Sequence, residues 1–211
     1  NQREIVSPST TSRLDSDYLR KNIIPNFQNK RVLIIAGFQN CDEPNWIISQ
    51  NNDLCHSLNT LINTHPNVVL LSESISNINS TNTINNIDRV LSEMTLEEKE
   101  SLKPDIVISF GGAIVSRFIK QYLRGLKSVE HWHIGITNTT IDCFKSLTMR
   151  INLSPRNFFD QLNEFFDTSS IELPIESNYK DLQSYQRRRC CRLWRRHNRT
   201  LSRSGHSLNR E

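Results

Sequence analysis

Arg117, in the segment GGAIVSR, is the side chain of this 211-residue sequence best placed to do chemistry. It follows a short apolar run that ends at Gly111 and Gly112, and the residues beyond recur at helical spacing. A helix beginning near Ala113 is therefore expected, with Arg117 in its first turn. A guanidinium there can hold a carboxylate or phosphate through two parallel, charge-assisted hydrogen bonds, at the helix end that favours anions. The plainer reading is a solvated cation opposite an apolar stripe, and both readings stand at this point. Lys120 and Arg124, further along the same helix, carry only the plainer one.

Other constellations are weaker. His131 and His133 flank Trp132 and fall on one face of a strand, a spacing that metal sites use, but no third ligand accompanies them and ordinary packing is expected. The five cysteines are odd in number and form no CxxC pair. Neither a disulfide framework nor a zinc site follows, and Cys55 reads as a small core residue. FGGAI invites a nucleotide, yet it lacks the GxGxxG spacing that lets a backbone approach a pyrophosphate, and no glycine-rich turn follows the first strand beyond AGFQN.

The elements that must position these residues alternate short β-branched runs with longer helical stretches, the signature of a parallel sheet with helices on both faces. Arg31 to Gly37, Asn67 to Glu73, Pro104 to Phe110 and Glu130 to Ile136 read as strands. Leu147 to Leu153 alternates apolar and polar residues and should lie nearer a sheet edge. Between them, Asp42 and Pro44 open a helix carrying Leu54, Cys55, Leu58, Leu61 and Ile62. Ser76 to Asn86 is an Asn- and Ser-rich, flexible loop, and TLEEKESLKP a short solvated helix. The helix after Gly112 is expected to bury Ile114, Val115, Phe118, Ile119, Tyr122 and Leu123. Ser154 and Pro155 start a last helix with Phe158, Phe159, Leu162, Phe165 and Phe166 on one face. Upstream, a leading helix from Asp15 to Phe27, capped by Ser12 or Asp15, should break at Pro25.

Charge divides the chain. Residues 187–211 hold nine Arg, no Lys and one acidic residue, whereas residues 1–186 carry 17 basic against 21 acidic side chains. The expected organisation is a linker and leading helix over 1–29, an α/β, Rossmann-like three-layer domain over 30–167, a linker over 168–186, and an Arg-rich tail over 187–211 that is disordered or non-native. No charged-then-apolar leader opens the sequence, and the longest apolar run, Val32 to Ala36, is far too short to span a bilayer. A cytoplasmic protein without a membrane contact is expected.

The segments KRVLIIAGFQ, KPDIVISFGGAIVSRFIKQYLR and EHWHIG, in this order and spacing, resemble the middle domain of the 2-succinyl-5-enolpyruvyl-6-hydroxy-3-cyclohexene-1-carboxylate synthase family, the thiamine-diphosphate-dependent synthases of menaquinone biosynthesis. The resemblance covers residues 1–185 and implies a Rossmann-like module between a pyrimidine-binding domain before it and a pyrophosphate-binding domain after it. In that family the cofactor-activating Glu belongs to the preceding domain and the magnesium-binding GDG type of motif to the following one; no GDG occurs here. The resemblance thus implies a structural role for this stretch, which alone holds no catalytic residue, no cofactor and no metal. The intact enzyme, a homo-oligomer, would decarboxylate 2-oxoglutarate on thiamine diphosphate with Mg2+ and add the succinic-semialdehyde unit to isochorismate. Family members carry Lys or Arg where this chain has Arg117, near the substrate carboxylates.

Two rivals remain. One is a stand-alone nucleotide-binding Rossmann-like module. The other is a nucleic-acid-binding protein whose nine tail arginines contact phosphates while Trp194 offers a stacking surface, although no sequence-specific nucleic acid is expected.

Overall fold

The computed structural model describes residues 4–6, 13–38, 44–78, 82–136 and 142–168. Six parallel strands form one sheet: β1 (Glu4–Val6), β2 (Val32–Ala36), β3 (Val68–Ser72), β4 (Ile106–Phe110), β5 (Glu130–Ile134) and β6 (Leu147–Ile151), in the spatial order β1-β6-β5-β4-β2-β3. Every side chain of β2, β3 and β4 is buried, as continuous apolar runs require when a strand is covered on both faces. In β6 buried and more open positions alternate, as its sequence does. It lies one strand in from the edge, because β1 pairs with it in register Glu4 to Met149, Ile5 to Arg150 and Val6 to Ile151. The residues before Lys30, read from sequence as linker and leading helix, therefore add an edge strand to the sheet.

Alternate residues of each strand feed opposite layers. One layer packs α3 (Pro44–Thr64) and α7 (Pro155–Thr168) over Val32, Ile34, Ile106, Ile108 and Trp132. Phe158, Phe159 and Leu162 of α7 are completely buried there, each contributing on the order of 2 kcal/mol by the area it removes from water. Leu19, Ile23 and Phe27 join the same layer from the leading helix, which is built of α1 (Ser16–Tyr18), a π-helical turn (Leu19–Ile23) and α2 (Ile24–Asn29). Asp15 caps it by accepting the Tyr18 amide at 2.9 Å. Pro25 does not end this helix, contrary to the expectation. The chain widens by one residue first, the Ile24 amide reaching back to the Leu19 carbonyl, so that Pro25 falls in the opening turn of α2, where no N–H is needed.

The opposite layer holds α4 (Ile87–Glu93), α5 (Leu96–Ser101) and α6 (Arg117–Gly125) over Leu33, Ile35, Val69 and Val107. Sequence reading passed over α4. The polar loop before it is also less free than expected: Ile84 is fully buried and forms a parallel bridge with Leu71, and the Ser72 hydroxyl donates to Asn85 at 2.7 Å. Within α5, Thr95 and Glu98 form a reciprocal capping box on a helix with no buried side chain, the solvated element foreseen. Together these layers make the three-layer, parallel α/β arrangement expected. No helix among the described residues is long and apolar enough to cross a membrane. Asp42 as a cap, the linker after Thr168, the Arg-rich tail and Trp194 lie outside the described residues.

Candidate functional site

From β2 the chain moves outward to β3, then returns across β2 to β4 and continues the other way. The carboxyl ends of β2 and β4 therefore flank the point where strand order reverses, the place where open α/β sheets bind ligands. Here that crevice is stitched shut by the protein's own backbone. The Gly37 amide donates to the Phe110 carbonyl at 2.9 Å, Phe38 donates to Ala113 at 3.1 Å, and Gly112 donates to Phe38 at 2.5 Å. A Cβ on Gly37 would stand 2.6 Å from the Gly112 oxygen and 2.8 Å from Cδ1 of Ile114. Gly37 thus serves the approach of one loop to another rather than the approach of a backbone to a pyrophosphate. Gly111 is left-handed at φ 79°, which lets the chain reverse into this contact.

Beyond the stitch, Ser116 begins α6. The helix starts at Arg117, four residues later than the sequence suggested, because Ser116 is a strong cap: its hydroxyl oxygen accepts the Ile119 amide at 3.2 Å. Its amide donates to Oε1 of Glu73 at 2.8 Å, and its hydroxyl donates to Oδ1 of Asp88. The free amides expected near Ala113 are accordingly not helical ones, and two carboxylates occupy the α6 terminus in place of a phosphate. Neither the filled turn nor this acidic clasp fits thiamine diphosphate or a dinucleotide.

Arg117 itself is exposed at the first helical position and makes no ion pair among the described residues. Lys120 is half-buried, and Arg124 donates from Nε to the Cys143 carbonyl at 2.8 Å. The later helix start also changes the apolar face. Ile114, Ile119 and Leu123 are buried and Tyr122 partly so, but Val115 is 62% exposed and Phe118 45% exposed, against expectation. Six large apolar side chains stand open among the described residues. Five follow the carboxyl end of a strand: Phe38 after β2, Ile75 after β3, Val115 and Phe118 after β4, and Ile136 after β5. Glu73, Asp88 and Ser116 were not singled out from the sequence. Ser116 carried a signal, a cap residue before an apolar-periodic stretch; the two carboxylates did not.

His131 and His133 do share a face, and the hydroxyl of Ser109 bridges them, 2.7 Å from Nε2 of His131 and 3.0 Å from Nδ1 of His133. Nδ1 of His131 lies 3.8 Å from Oδ1 of Asp142, an electrostatic contact rather than a hydrogen bond. The residue types are those of a nucleophilic triad, but Ser109 is 6% exposed one residue before the carboxyl end of β4, and Phe144 stacks edge-on to His131. The Ser109 hydroxyl is taken up by two rings inside a sheet layer, and Nδ1 of His131 is buried without a hydrogen-bond partner among the described residues, beside the Asp142 carboxylate. Burial, then His131 and then Arg150, push the His133 pKa down to about 4. His131 and the Leu147 and Ser146 amides hold Asp142 well below the usual carboxylate range. No group of three or more His, Cys, Asp or Glu among the described residues is arranged to hold a metal. Cys55 is half-buried against the core, and burial raises the half-buried Cys143 thiol, which makes it a poor nucleophile.

The family described as "Middle domain of thiamine pyrophosphate" matches residues 9–164. Three curated relatives bear the name 2-succinyl-5-enolpyruvyl-6-hydroxy-3-cyclohexene-1-carboxylate synthase. The one from Cytophaga hutchinsonii is 39% identical over 102 residues, 48% of this chain and 17% of that protein. The Porphyromonas gingivalis relative is 37% identical over 131 residues, 62% of this chain and 21% of its own. That of Flavobacterium psychrophilum is 34% identical over 154 residues, 73% of this chain and 25% of its own length. The chain thus spans a quarter or less of each of these relatives.

Proposed function

Because this chain belongs to the family of thiamine pyrophosphate middle domains, we propose that it is the central domain of a 2-succinyl-5-enolpyruvyl-6-hydroxy-3-cyclohexene-1-carboxylate synthase and acts there as the structural piece between two cofactor-binding domains. The named relatives support this reading. The intact enzyme would be a thiamine-diphosphate- and Mg2+-dependent transferase, homo-oligomeric and cytoplasmic, joining a 2-oxoglutarate-derived unit to isochorismate. Thiamine diphosphate supplies the carbanion chemistry when bound; the residues of this chain supply position and charge. Arg117 is the one assigned to a substrate carboxylate.

The observation that carries the reading is the carboxyl end of the sheet. Five of the six open apolar side chains among the described residues follow the carboxyl ends of strands, on the side where the exposed Arg117 opens α6; the sixth, Leu96, stands on α5. A surface of that kind is covered in its working state, because scattered single apolar residues are ordinary but a concentration on one end marks a contact. In the synthase it would meet the neighbouring domains, and Arg117 would project into the space they enclose.

Val115→Asp and Phe118→Asp in the full-length synthase test this. The expected result is loss of activity and of assembly, with the melting temperature of the isolated chain unchanged within a few degrees, since both side chains are already exposed. Full activity of both variants would remove the docking role. Calorimetry of the isolated chain with thiamine diphosphate, FAD, NAD and ATP is a second check. Low-micromolar binding of a dinucleotide would favour the stand-alone nucleotide-binding module.

A further inference from the structure

Ser116 is 4% exposed and makes three hydrogen bonds, where a helix cap needs one. The Ile119 bond belongs to the cap. The other two reach out of α6: Glu73 stands just past the end of β3, and its own amide is tied to the Ala36 carbonyl at 3.1 Å; Asp88 sits in the first turn of α4. The residue directly before Arg117 is thereby clamped from two separate elements, while Arg117 is left open to solvent. Charge does not explain the arrangement as a ligand site, since two carboxylates beside an arginine weaken the local attraction for an anion. Holding a guanidinium in one direction does explain it, because bidentate recognition of a carboxylate depends on the angle of the planar fork.

We propose that Glu73 and Asp88 are positioning residues for Arg117: through Ser116 they fix the first turn of α6 so that the guanidinium meets the substrate carboxylate at a set angle. This deepens the assignment of Arg117 and rests on it. The two carboxylates touch no substrate. Their effect passes through the backbone of Ser116 into the first helical residue, so it exists only while the arginine is present.

A double-mutant cycle in the full-length synthase makes that dependence measurable. Steady-state rates with 2-oxoglutarate and isochorismate are taken for Arg117→Ala, Glu73→Ala, Glu73→Gln, Asp88→Ala, and for Glu73→Ala and Asp88→Ala in the Arg117→Ala background, with melting curves beside each. Glu73→Ala and Asp88→Ala should raise KM for one substrate by about three- to tenfold with kcat little changed, the scale of a small misplacement of a binding group. Glu73→Gln, which keeps an acceptor for the Ser116 amide, should recover most of the Glu73→Ala loss. In the Arg117→Ala background neither substitution should change KM by more than about twofold. Equal losses with and without Arg117 would overturn the proposal, and so would unchanged KM in Glu73→Ala and Asp88→Ala. If Arg117→Ala alone had no effect while Asp88→Ala kept its own, the Arg117 assignment would fall first and the positioning role with it. Should Glu73→Ala fail to fold, Asp88→Ala still decides the outcome, because Glu73 and Asp88 reach Ser116 from separate elements.

Discussion

Glu73 and Ser116, 43 residues apart, meet through a 2.8 Å hydrogen bond from the Ser116 amide to the Glu73 carboxylate, and this bond ties the end of β3 to the start of α6. Ser116 should therefore matter to stability. Ser116→Ala removes the acceptor for the Ile119 amide and the donor to Asp88, and is expected to cost about 1–2 kcal/mol. Ser116→Thr should restore part of it. Urea denaturation of the three chains measures this, and an Ala variant as stable as the parent would remove Ser116 from the role of cap.

The Ser109 network predicts a direction of pH dependence. Burial, then His131 and then Arg150, lower His133 to about 4 in the folded chain, against about 6.5 unfolded, so the unfolded chain takes up the proton more readily. The stability tied to a neutral His133 is then complete above pH 6.5 and is lost as pH falls towards 4, by on the order of 3 kcal/mol at most. Asp142 adds a second loss at lower pH: its carboxyl is depressed in the fold, so its contribution is present above the unfolded value of about 3.9 and fades below it. Urea midpoints measured from pH 7 to pH 3 should decline in this order. His133→Gln should flatten the upper part and Asp142→Asn the lower. A parent midpoint constant from pH 6.5 to 4 would show that His133 does not resist protonation.

Gly37 is expected to tolerate no side chain. The Cβ of Gly37→Ala would meet the Gly112 carbonyl at 2.6 Å, a backbone atom held by the hydrogen bonds between the two loops. Forcing them apart should cost about 1–3 kcal/mol, as overpacking does elsewhere. Gly125→Ala is the control, since a Cβ there meets nothing within 4 Å and the residue closes α6. Comparable melting temperatures for the two variants would contradict the stitched crevice.

Much of the fold could be read from residue pattern because its determinants are local. Val32 to Ala36 is apolar without a break and lies buried on both faces; Leu147 to Ile151 alternates and does so in the sheet. Elements missed depend on distant partners. Glu4–Val6 is three residues long and becomes a strand only through β6, some 145 positions later. Ile87, Val90 and Leu91 did show helical spacing, but a two-turn helix beside an Asn-rich run falls below the length at which periodicity persuades. At the site, Arg117 was visible as a cation after a glycine turn. The clamp around its neighbour was not, because Glu73 and Asp88 come from other elements, and nothing in the spacing of 73, 88 and 116 announces that they meet.

Arg117 yields the last prediction. It opens α6 beside the carboxyl ends of β2 and β4, exposed and without an ion pair among the described residues, within the side of the domain where the open apolar residues gather. An arginine with a purely solvated role at this place would leave catalysis untouched when removed. One that binds a substrate carboxylate would lose a charged hydrogen bond on the order of 1.5–3 kcal/mol, or roughly ten- to a hundredfold in kcat/KM of the full-length synthase. Charge should count for more than bulk. Arg117→Lys should therefore recover part of the activity, and Arg117→Gln little. The melting temperature should stay within about a degree or two of the parent, because the side chain is exposed. Steady-state kinetics with 2-oxoglutarate and isochorismate, read beside the melting curves, separate these cases. Unchanged kcat/KM for both substrates in Arg117→Ala, or a loss that only follows unfolding, would leave Arg117 as a solvated helix residue.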